Sequence, residues 1–161
     1  MKHTIAVLVE NKFGVLARIS GLFSARGFNI DSLAVGETED PAVSRMTIVV
    51  QGDDRTLEQV KKQLNRLIDV ISVQDLPENT FIDRELILIK VNIDSHTRAQ
   101  IIEIAEMLKA EMVDVAPKSI TIEVTGDQAK IKSALELLKP FGIKDLVRTG
   151  RVAMAKGDKK R

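Results

Sequence analysis

The chain has 161 residues, of which 44% are hydrophobic and only 3% aromatic, and its 24 Lys and Arg nearly balance its 23 Asp and Glu. This length suits one ordinary domain or two small ones, and a net charge of +1 creates no field that would attract nucleic acid. The absence of cysteine excludes disulfides, thiolate catalysis and cysteine-bound zinc. No apolar run approaches the roughly 20 residues that a membrane span needs, so we expect a cytoplasmic protein that contacts neither membrane nor nucleic acid.

The first half of the chain shows strand and helix periodicities in the order βαββαβ. A short apolar run at residues 5–9 indicates a buried strand, and the apolar residues that follow Gly14 recur with a helical period. Gly27 comes directly after this helix and is a typical helix stop in left-handed conformation. The predicted elements are a strand at residues 4–9, a helix at 14–26, strands at 29–36 and 43–51, a helix at 56–67 and a strand at 70–76.

The second half repeats this pattern after a polar stretch that begins near Pro77. Its predicted elements are strands at residues 85–92, 112–116 and 119–125, helices at 97–109 and 128–139, and a last strand within 142–155. Thr56 and Ser95 are the candidate N-caps of the second and third helices.

Two successive βαββαβ units predict an α+β protein with two ferredoxin-like domains in tandem. The predicted boundaries are a first domain at residues 1–76, a linker at 77–84, a second domain at 85–155 and a basic tail at 156–161. The sheet of such a domain has exposed edges, and the strand at 29–36 is the candidate for pairing two copies into a dimer.

Few residues could carry catalysis. His3 and His96 are the only histidines, and neither has an Asp or Cys partner at the spacing of a catalytic triad or a metal site. Glu37, Glu39 and Asp40 form a small acidic cluster for which a solvated hairpin tip is favoured over a cation site. We therefore predict no catalytic residues and no metal ligands, and favour a binding or regulatory protein over a small enzyme on a ferredoxin-like scaffold.

The loop and helix start around Gly14 suggest a ligand site. A helix N-terminus carries unpaired N–H groups that attract a carboxylate, and the side-chain amides of Asn11 and Asn29 both donate and accept hydrogen bonds. With an apolar rim, these groups suit a small zwitterion with an aliphatic side chain. Local chemistry alone favours a plainer interpretation, in which Asn11 shapes a turn and Asn29 opens a strand.

Two motifs in the first half resemble the ACT domain, a family of domains that typically bind amino acids at dimer interfaces. They are N-x-x-G-V-L at residues 11–16 and G-F-N-I at residues 27–30. In the second half, RELILIKV at 84–91 and GIKDLVRTG at 142–150 are similar to stretches of acetolactate synthase (acetohydroxyacid synthase) small subunits. The likeness covers nearly the whole chain.

This resemblance implies a regulatory subunit without a cofactor of its own. The family's catalytic subunit is a separate, larger chain, a transferase that uses thiamine diphosphate, magnesium and FAD to join two 2-keto acids in branched-chain amino acid biosynthesis. The small subunit activates that chain and confers allosteric feedback inhibition, usually by valine. An alternative is a stand-alone ACT-type amino-acid sensor that regulates another protein, although such a sensor would lack the two stretches of the second half.

The resemblance also implies which residues bind the effector. Matched by position, they are Asn11, Gly14, Val15, Leu16, Asn29 and Ile30. In the family the site lies between the ACT domains of a homodimer, so that the Asn29 side can come from the partner protomer.

Overall fold

The computed structural model describes residues 1–158 and divides them into two compact units. Unit 1 comprises Met1–Ile82 together with the described residues from Arg151 on, and unit 2 comprises Asp83–Gly150. Residues 159–161, which belong to the predicted basic tail, lie outside the described residues. Within the described part of the chain, every helix is too short or too polar to cross a bilayer.

Unit 1 has the predicted order of elements. Its strands are β1 (Lys2–Glu10), β2 (Ile30–Glu37), β3 (Val43–Gln51) and β4 (Val70–Leu76), and its helices are α1 (Val15–Ala25) and α2 (Asp54–Asn65). The strands lie side by side in the order β2-β3-β1-β4, and each neighbouring pair is antiparallel. This is the ferredoxin-like arrangement, so the predicted fold of the first half is confirmed.

The core of unit 1 lies between the sheet and its two helices. Alternate residues of the central strands, such as Ile5, Val7 and Ile48, are fully buried there, and Phe23 of α1 packs against them. Burial of each such side chain contributes roughly 1.5–3 kcal/mol. Aliphatic residues thus supply nearly all of this core, as the low aromatic content requires.

Gly27 ends α1 as predicted. Its φ of +70° is the left-handed conformation, its N–H donates to the Ser24 carbonyl (3.2 Å), and the Phe28 N–H donates to the Phe23 carbonyl (3.1 Å). These two hydrogen bonds form a Schellman motif, and the rings of Phe23 and Phe28 meet edge to face with centroids 6.0 Å apart. The motif directs the chain out of α1 so that Asn29 immediately precedes β2.

Unit 2 repeats the arrangement. Its elements are β5 (Phe81–Asn92), whose first two residues belong to unit 1, α3 (Arg98–Met107), β6 (Glu111–Ala116), β7 (Ser119–Gly126), α4 (Gln128–Leu138) and β8 (Ile143–Arg148). The strand order is β6-β7-β5-β8, which is the ferredoxin-like order again. The prediction of two ferredoxin-like domains in tandem is confirmed.

The C-terminal segment differs from the single last strand predicted within residues 142–155. The strand β8 stops at Arg148, Gly150 adopts a φ of +83°, and a separate strand, β9 (Val152–Ala155), pairs with β5. The described residues from Arg151 on group with unit 1, whereas the predicted second domain contained residues 151–155. The predicted linker also differs, because β5 already begins at Phe81.

Both predicted N-caps are wrong by a few residues. Asp53 caps α2, and its Oδ1 accepts from the Thr56 N–H at 2.8 Å. Thr97 rather than Ser95 is the N-cap residue of α3, and the Asp94 carboxylate accepts from the Thr97 N–H. In both places an aspartate carboxylate accepts a hydrogen bond from the main-chain N–H three residues later, since a carboxylate is a stronger acceptor than a hydroxyl.

Candidate functional site

Asn11 joins the loop after β1 to the hairpin between β2 and β3. Its main-chain N–H donates to the Ala42 carbonyl (2.8 Å). Its side-chain Nδ2 donates to the Pro41 carbonyl (2.9 Å) and to Glu37 Oε1 (3.3 Å). The predicted ligand residue Asn11 therefore also holds the loop against the end of β2, and Glu37 becomes part of the same polar group.

Gly14 forms the N-terminal end of α1. Its φ of +83° is left-handed, and among the described residues no side chain caps this helix start. The Val15 N–H donates to the Lys12 carbonyl (3.4 Å). The next first-turn N–H groups have no partner within the helix, so these are the groups of the helix start that an anion could accept from.

The guanidinium of Arg18 lies beside this helix start. A Cβ atom on Gly14 would lie 3.3 Å from Arg18 Nη1. The same guanidinium donates through Nε to Asp69 Oδ2 (2.7 Å) and pairs with that carboxylate through Nη2 (2.5 Å). Asp69 offsets part of the charge of Arg18 but also fixes its position, and no local sequence pattern predicts this contact.

The two apolar residues predicted at the site play different parts. Val15 is buried in the core of unit 1, whereas Leu16 leaves 47% of its surface exposed. Val35 of β2, which was not predicted, is 48% exposed and lies opposite Met46, on the sheet face that α1 covers. The sequence shows only a valine within a strand pattern, and its exposure follows from the edge position of β2 in the described sheet.

Asn29 and Ile30 lie at the other end of the sheet. Ile30 pairs with Val50 near the end of β3, whereas Glu37 pairs with Ser44 near its start. The eight residues of β2 extend over about 24 Å at ~3.4 Å per residue. Within one chain, the structure therefore brings together Asn11, Gly14, Val15 and Leu16, but not Asn29 and Ile30.

The side chain of Asn29 has its own polar neighbours. Its Nδ2 donates to Asp31 Oδ1 at 3.2 Å, and Asp31 also accepts from Gln51 Nε2 at 2.8 Å. Ile30 is half-buried and packs against the core of unit 1. Asn29 is therefore a solvent-exposed amide beside an apolar residue, at the start of the edge strand β2.

The corresponding helix of unit 2 has a different start. Before α3, the Asp94 carboxylate accepts from the N–H groups of His96 (2.8 Å) and Thr97 (2.9 Å). Hydrogen bonds from Thr97 and His96 hold the pKa of the Asp94 carboxyl below its ordinary value. Unit 2 thus supplies its own carboxylate where unit 1 leaves the helix start open.

This contrast gives a prediction for acid unfolding. Because the pKa of Asp94 is lower in the folded chain, its ionised form stabilises unit 2 at neutral pH, and this contribution disappears as the pH falls below about 4. We expect Asp94→Asn to lower the thermal midpoint slightly at pH 7 and to reduce the difference in midpoint between pH 7 and pH 3. Thermal unfolding of the full chain measures both. Asp114→Asn, on the exposed strand β6, is the control, and identical pH dependence in Asp94→Asn and wild type would contradict the assignment.

Two family profiles match the chain. The profile described as the small subunit of acetolactate synthase matches residues 84–157, and the AHAS small subunit-like ACT domain, named for acetohydroxyacid synthase, matches residues 5–72. Among individual relatives, the probable acetolactate synthase small subunit of Archaeoglobus fulgidus is 55% identical over 160 residues, which cover 99% of this chain and 100% of the relative.

The chain belongs to the family of acetolactate synthase small subunits. The acetolactate synthase small subunit of Mycobacterium bovis is 50% identical over 155 residues, which cover 96% of this chain and 92% of the relative. The crystal structure of the small subunit from Thermotoga maritima superposes with a TM-score of 0.91 at 37% identity, covering 98% of this chain and 99% of that one. The resemblance drawn from the motifs at residues 11–16, 27–30, 84–91 and 142–150 is confirmed.

Family membership fixes the general role of the chain. A small subunit of acetolactate synthase is a regulatory partner of the catalytic subunit, and the first half carries an ACT domain of the type found in these subunits. Among residues 1–158, no group of three or more His, Cys, Asp or Glu side chains is arranged to hold a metal ion. The start of α1, with Asn11 and Arg18 beside it, is the candidate ligand site of this small subunit.

Proposed function

We propose that this chain activates the catalytic subunit of acetolactate synthase and makes it sensitive to feedback inhibition by valine. The effector lies between the ACT units of two protomers. The observation that carries the proposal is the uncapped start of α1, beside the exposed edge of β2. Thiamine diphosphate, magnesium and FAD belong to the catalytic partner in this scheme.

The start of α1 receives the carboxylate of the effector. The starts of α2 and α4 are capped by Asp53 and Asp127, and Asp94 fills the start of α3. At α1 the bound amino acid supplies the missing carboxylate, next to the Arg18 guanidinium. An anion at a helix N-terminus gains roughly 0.3–2 kcal/mol from the helix dipole, and hydrogen bonds to a charged group contribute about 1.5–3 kcal/mol each.

The ammonium group and the side chain of the effector have separate partners. The Oδ1 of Asn11 and the carboxylate of Glu37 both accept hydrogen bonds, and they lie together at the end of β2. The exposed parts of Leu16 and Val35 provide apolar surface on the same side of the unit. Since each buried methylene contributes about 0.8 kcal/mol, this surface favours valine, leucine and isoleucine over polar amino acids.

Dimer formation completes the site with Asn29. In the described sheet β2 is an edge strand whose outer hydrogen-bonding groups remain available. Antiparallel pairing of β2 (Ile30–Glu37) with its own copy about the strand centre places Asn29 of one protomer opposite Thr38 of the other. That position adjoins Glu37 and Asn11, so the dimer contains two equivalent sites, each built from both chains.

Inhibition follows from linkage between effector binding and dimer arrangement. An effector held between two protomers stabilises the arrangement that binds it best. If the catalytic subunit is activated by the other arrangement, valine reduces activation, and a coupling of about 1–3 kcal/mol is typical of such systems. No residue of this chain has to touch the reacting groups.

The deciding experiment combines activity and binding. The cognate catalytic subunit is assayed with and without this chain, across titrations of valine, leucine and isoleucine, and the purified chain is titrated calorimetrically with the same amino acids and with serine. We expect activation by the chain, inhibition by valine and no heat with serine. Activation without any amino-acid binding would refute the effector site, and binding without activation would favour the stand-alone sensor.

A further inference from the structure

Residues 151–155, here named the C-terminal strap, are hydrogen-bonded to the edge strand β2 and to its neighbour β3 in unit 1. The Arg151 N–H donates to Ser32 Oγ of β2 at 2.8 Å, across 119 positions of sequence. Arg45 of β3 donates through Nη2 to the Ala153 carbonyl at 3.0 Å. The strap is therefore fixed to the strand that begins beside Asn29.

Side-chain packing holds the strap in the same place. The Arg151 guanidinium lies over the Phe81 ring, 5.3 Å from its centroid, and its Nη1 donates to Thr4 Oγ1 at 3.4 Å. Ala153 is only 7% exposed and forms a small apolar cluster with Ala6 and Leu76. These contacts are made on the face of the sheet opposite the helices, since Thr4 and Ala6 alternate with the core residues of β1.

The hydrogen bond from the strap reaches β2 at an irregular point. Ile30 pairs with Val50 and Ser32 pairs with Val49, so the register shifts at Asp31. A bulge of this kind bends the strand and changes the direction of neighbouring side chains. Asn29 lies directly before the bulge, and regular pairing resumes at Ser32. A contact that fixes Ser32 thus fixes the geometry of the bulge.

We propose that the C-terminal strap positions Asn29 and Ile30 for effector binding, through the hydrogen bond between Arg151 and Ser32. This inference rests on the proposed function, and it adds the strap to the elements that control the same effector site. Ser32 is a positioning residue and does not contact the effector. Gly150 joins the strap to β8. Because displacement of the strap breaks the hydrogen bond to Ser32, it lowers the affinity for the effector without any change in the residues that bind it.

The first test removes the acceptor from Ser32. Loss of one hydrogen bond corresponds to a change of roughly two- to tenfold in an equilibrium constant, so we expect Ser32→Ala to weaken valine binding about two- to tenfold in calorimetric titration of the full chain. Ser32→Thr retains the hydroxyl and suits a strand, and we expect it to restore wild-type affinity. Ser24→Ala, at an exposed position of α1, is the matched control.

The second test detaches the strap. Ala153→Glu places a carboxylate in the small apolar cluster, and Met154→Glu makes the same change at the next residue, which is 64% exposed. We expect Ala153→Glu to weaken valine binding and Met154→Glu to leave it unchanged. The double variant Ser32→Ala/Ala153→Glu should bind valine no more weakly than Ala153→Glu alone, because a detached strap leaves Ser32 without that bond.

The outcomes separate the two proposals. If the wild-type chain binds no valine, the proposed function fails, and the role of the strap fails with it. If the wild type binds valine but Ser32→Ala binds it equally well, the positioning role is overturned while the proposed function stands. Additive effects in the double variant would also overturn it, since they would show that Ser32 and the strap act independently.

Discussion

The variant Gly14→Asp is expected to weaken valine binding by about 100-fold or more, which corresponds to roughly 2.7 kcal/mol. Gly14 has a φ of +83°, a conformation that costs other residues about 1–2 kcal/mol. The new carboxylate would also stand beside Arg18, since a Cβ atom on Gly14 lies 3.3 Å from Arg18 Nη1. It would occupy the place of the carboxylate of the effector and repel it. Calorimetric titration with valine, and inhibition of the activated catalytic subunit, measure the loss.

Gly21→Asp is the matched control for this prediction. Gly21 lies in the same helix, and a Cβ atom there meets nothing within 4 Å. The control therefore adds the same charge to α1 without touching the helix start. We expect Gly21→Asp to retain valine binding and Gly14→Asp to retain activation of the catalytic subunit. Unchanged valine sensitivity in Gly14→Asp would remove the start of α1 from the effector site.

The variant Asn29→His is expected to abolish valine binding by the homodimer. Binding should return in a mixed dimer, in which one chain carries Asn29→His and the other carries Gly14→Asp. Each proposed site takes its helix start from one protomer and its Asn29 from the other. A mixed dimer therefore has one site with both substitutions and one site with neither. Two inactive proteins should thus form a dimer with one functional site.

Co-expression of differently tagged chains makes this prediction quantitative. If the chains pair at random, about half of the dimers are mixed and about one quarter of the wild-type valine sites are restored. Calorimetry gives the number of valine sites per dimer. Purification through both tags selects the mixed dimers, for which about one site per dimer is expected. Each variant expressed alone is the control. No recovery in the purified mixed dimer would show that the site is not shared between protomers in this way.

The elements that could be predicted from the sequence are those with a local signal. The strands at residues 43–51 and 70–76 were predicted with the bounds that β3 and β4 have, since turn residues flank each apolar run. The end of α1 at Gly27 was also predicted, because a left-handed glycine after an amphipathic helix is a local feature. The loop that contains Asn11 and Gly14 was predicted for the same reason, because its turn residues are a local signal.

Other features depend on partners that are distant in sequence. Residues 142–155 have the pattern of one extended segment, yet β8 and β9 are separate strands because Gly150 and the contacts of Ala153 divide them. Asn11 and Asn29 were predicted to serve one ligand site, but β2 carries the chain across the sheet and separates them within one protomer. The ion pair of Arg18 with Asp69 joins residues 51 positions apart, which a periodic pattern does not reveal.

The amino-acid sequence alone determined the repeated βαββαβ order and the glycine at the start of α1, because burial periodicity and turn chemistry act over a few residues. Its motifs carried the family resemblance. Tertiary structure alone decided that the two asparagines lie at opposite ends of one sheet, that an arginine faces the helix start, and that residues 151–155 return to β2. Those features depend on hydrogen bonds and packing between segments up to 147 positions apart. The direction in which strands cross a sheet is set only when the sheet is assembled.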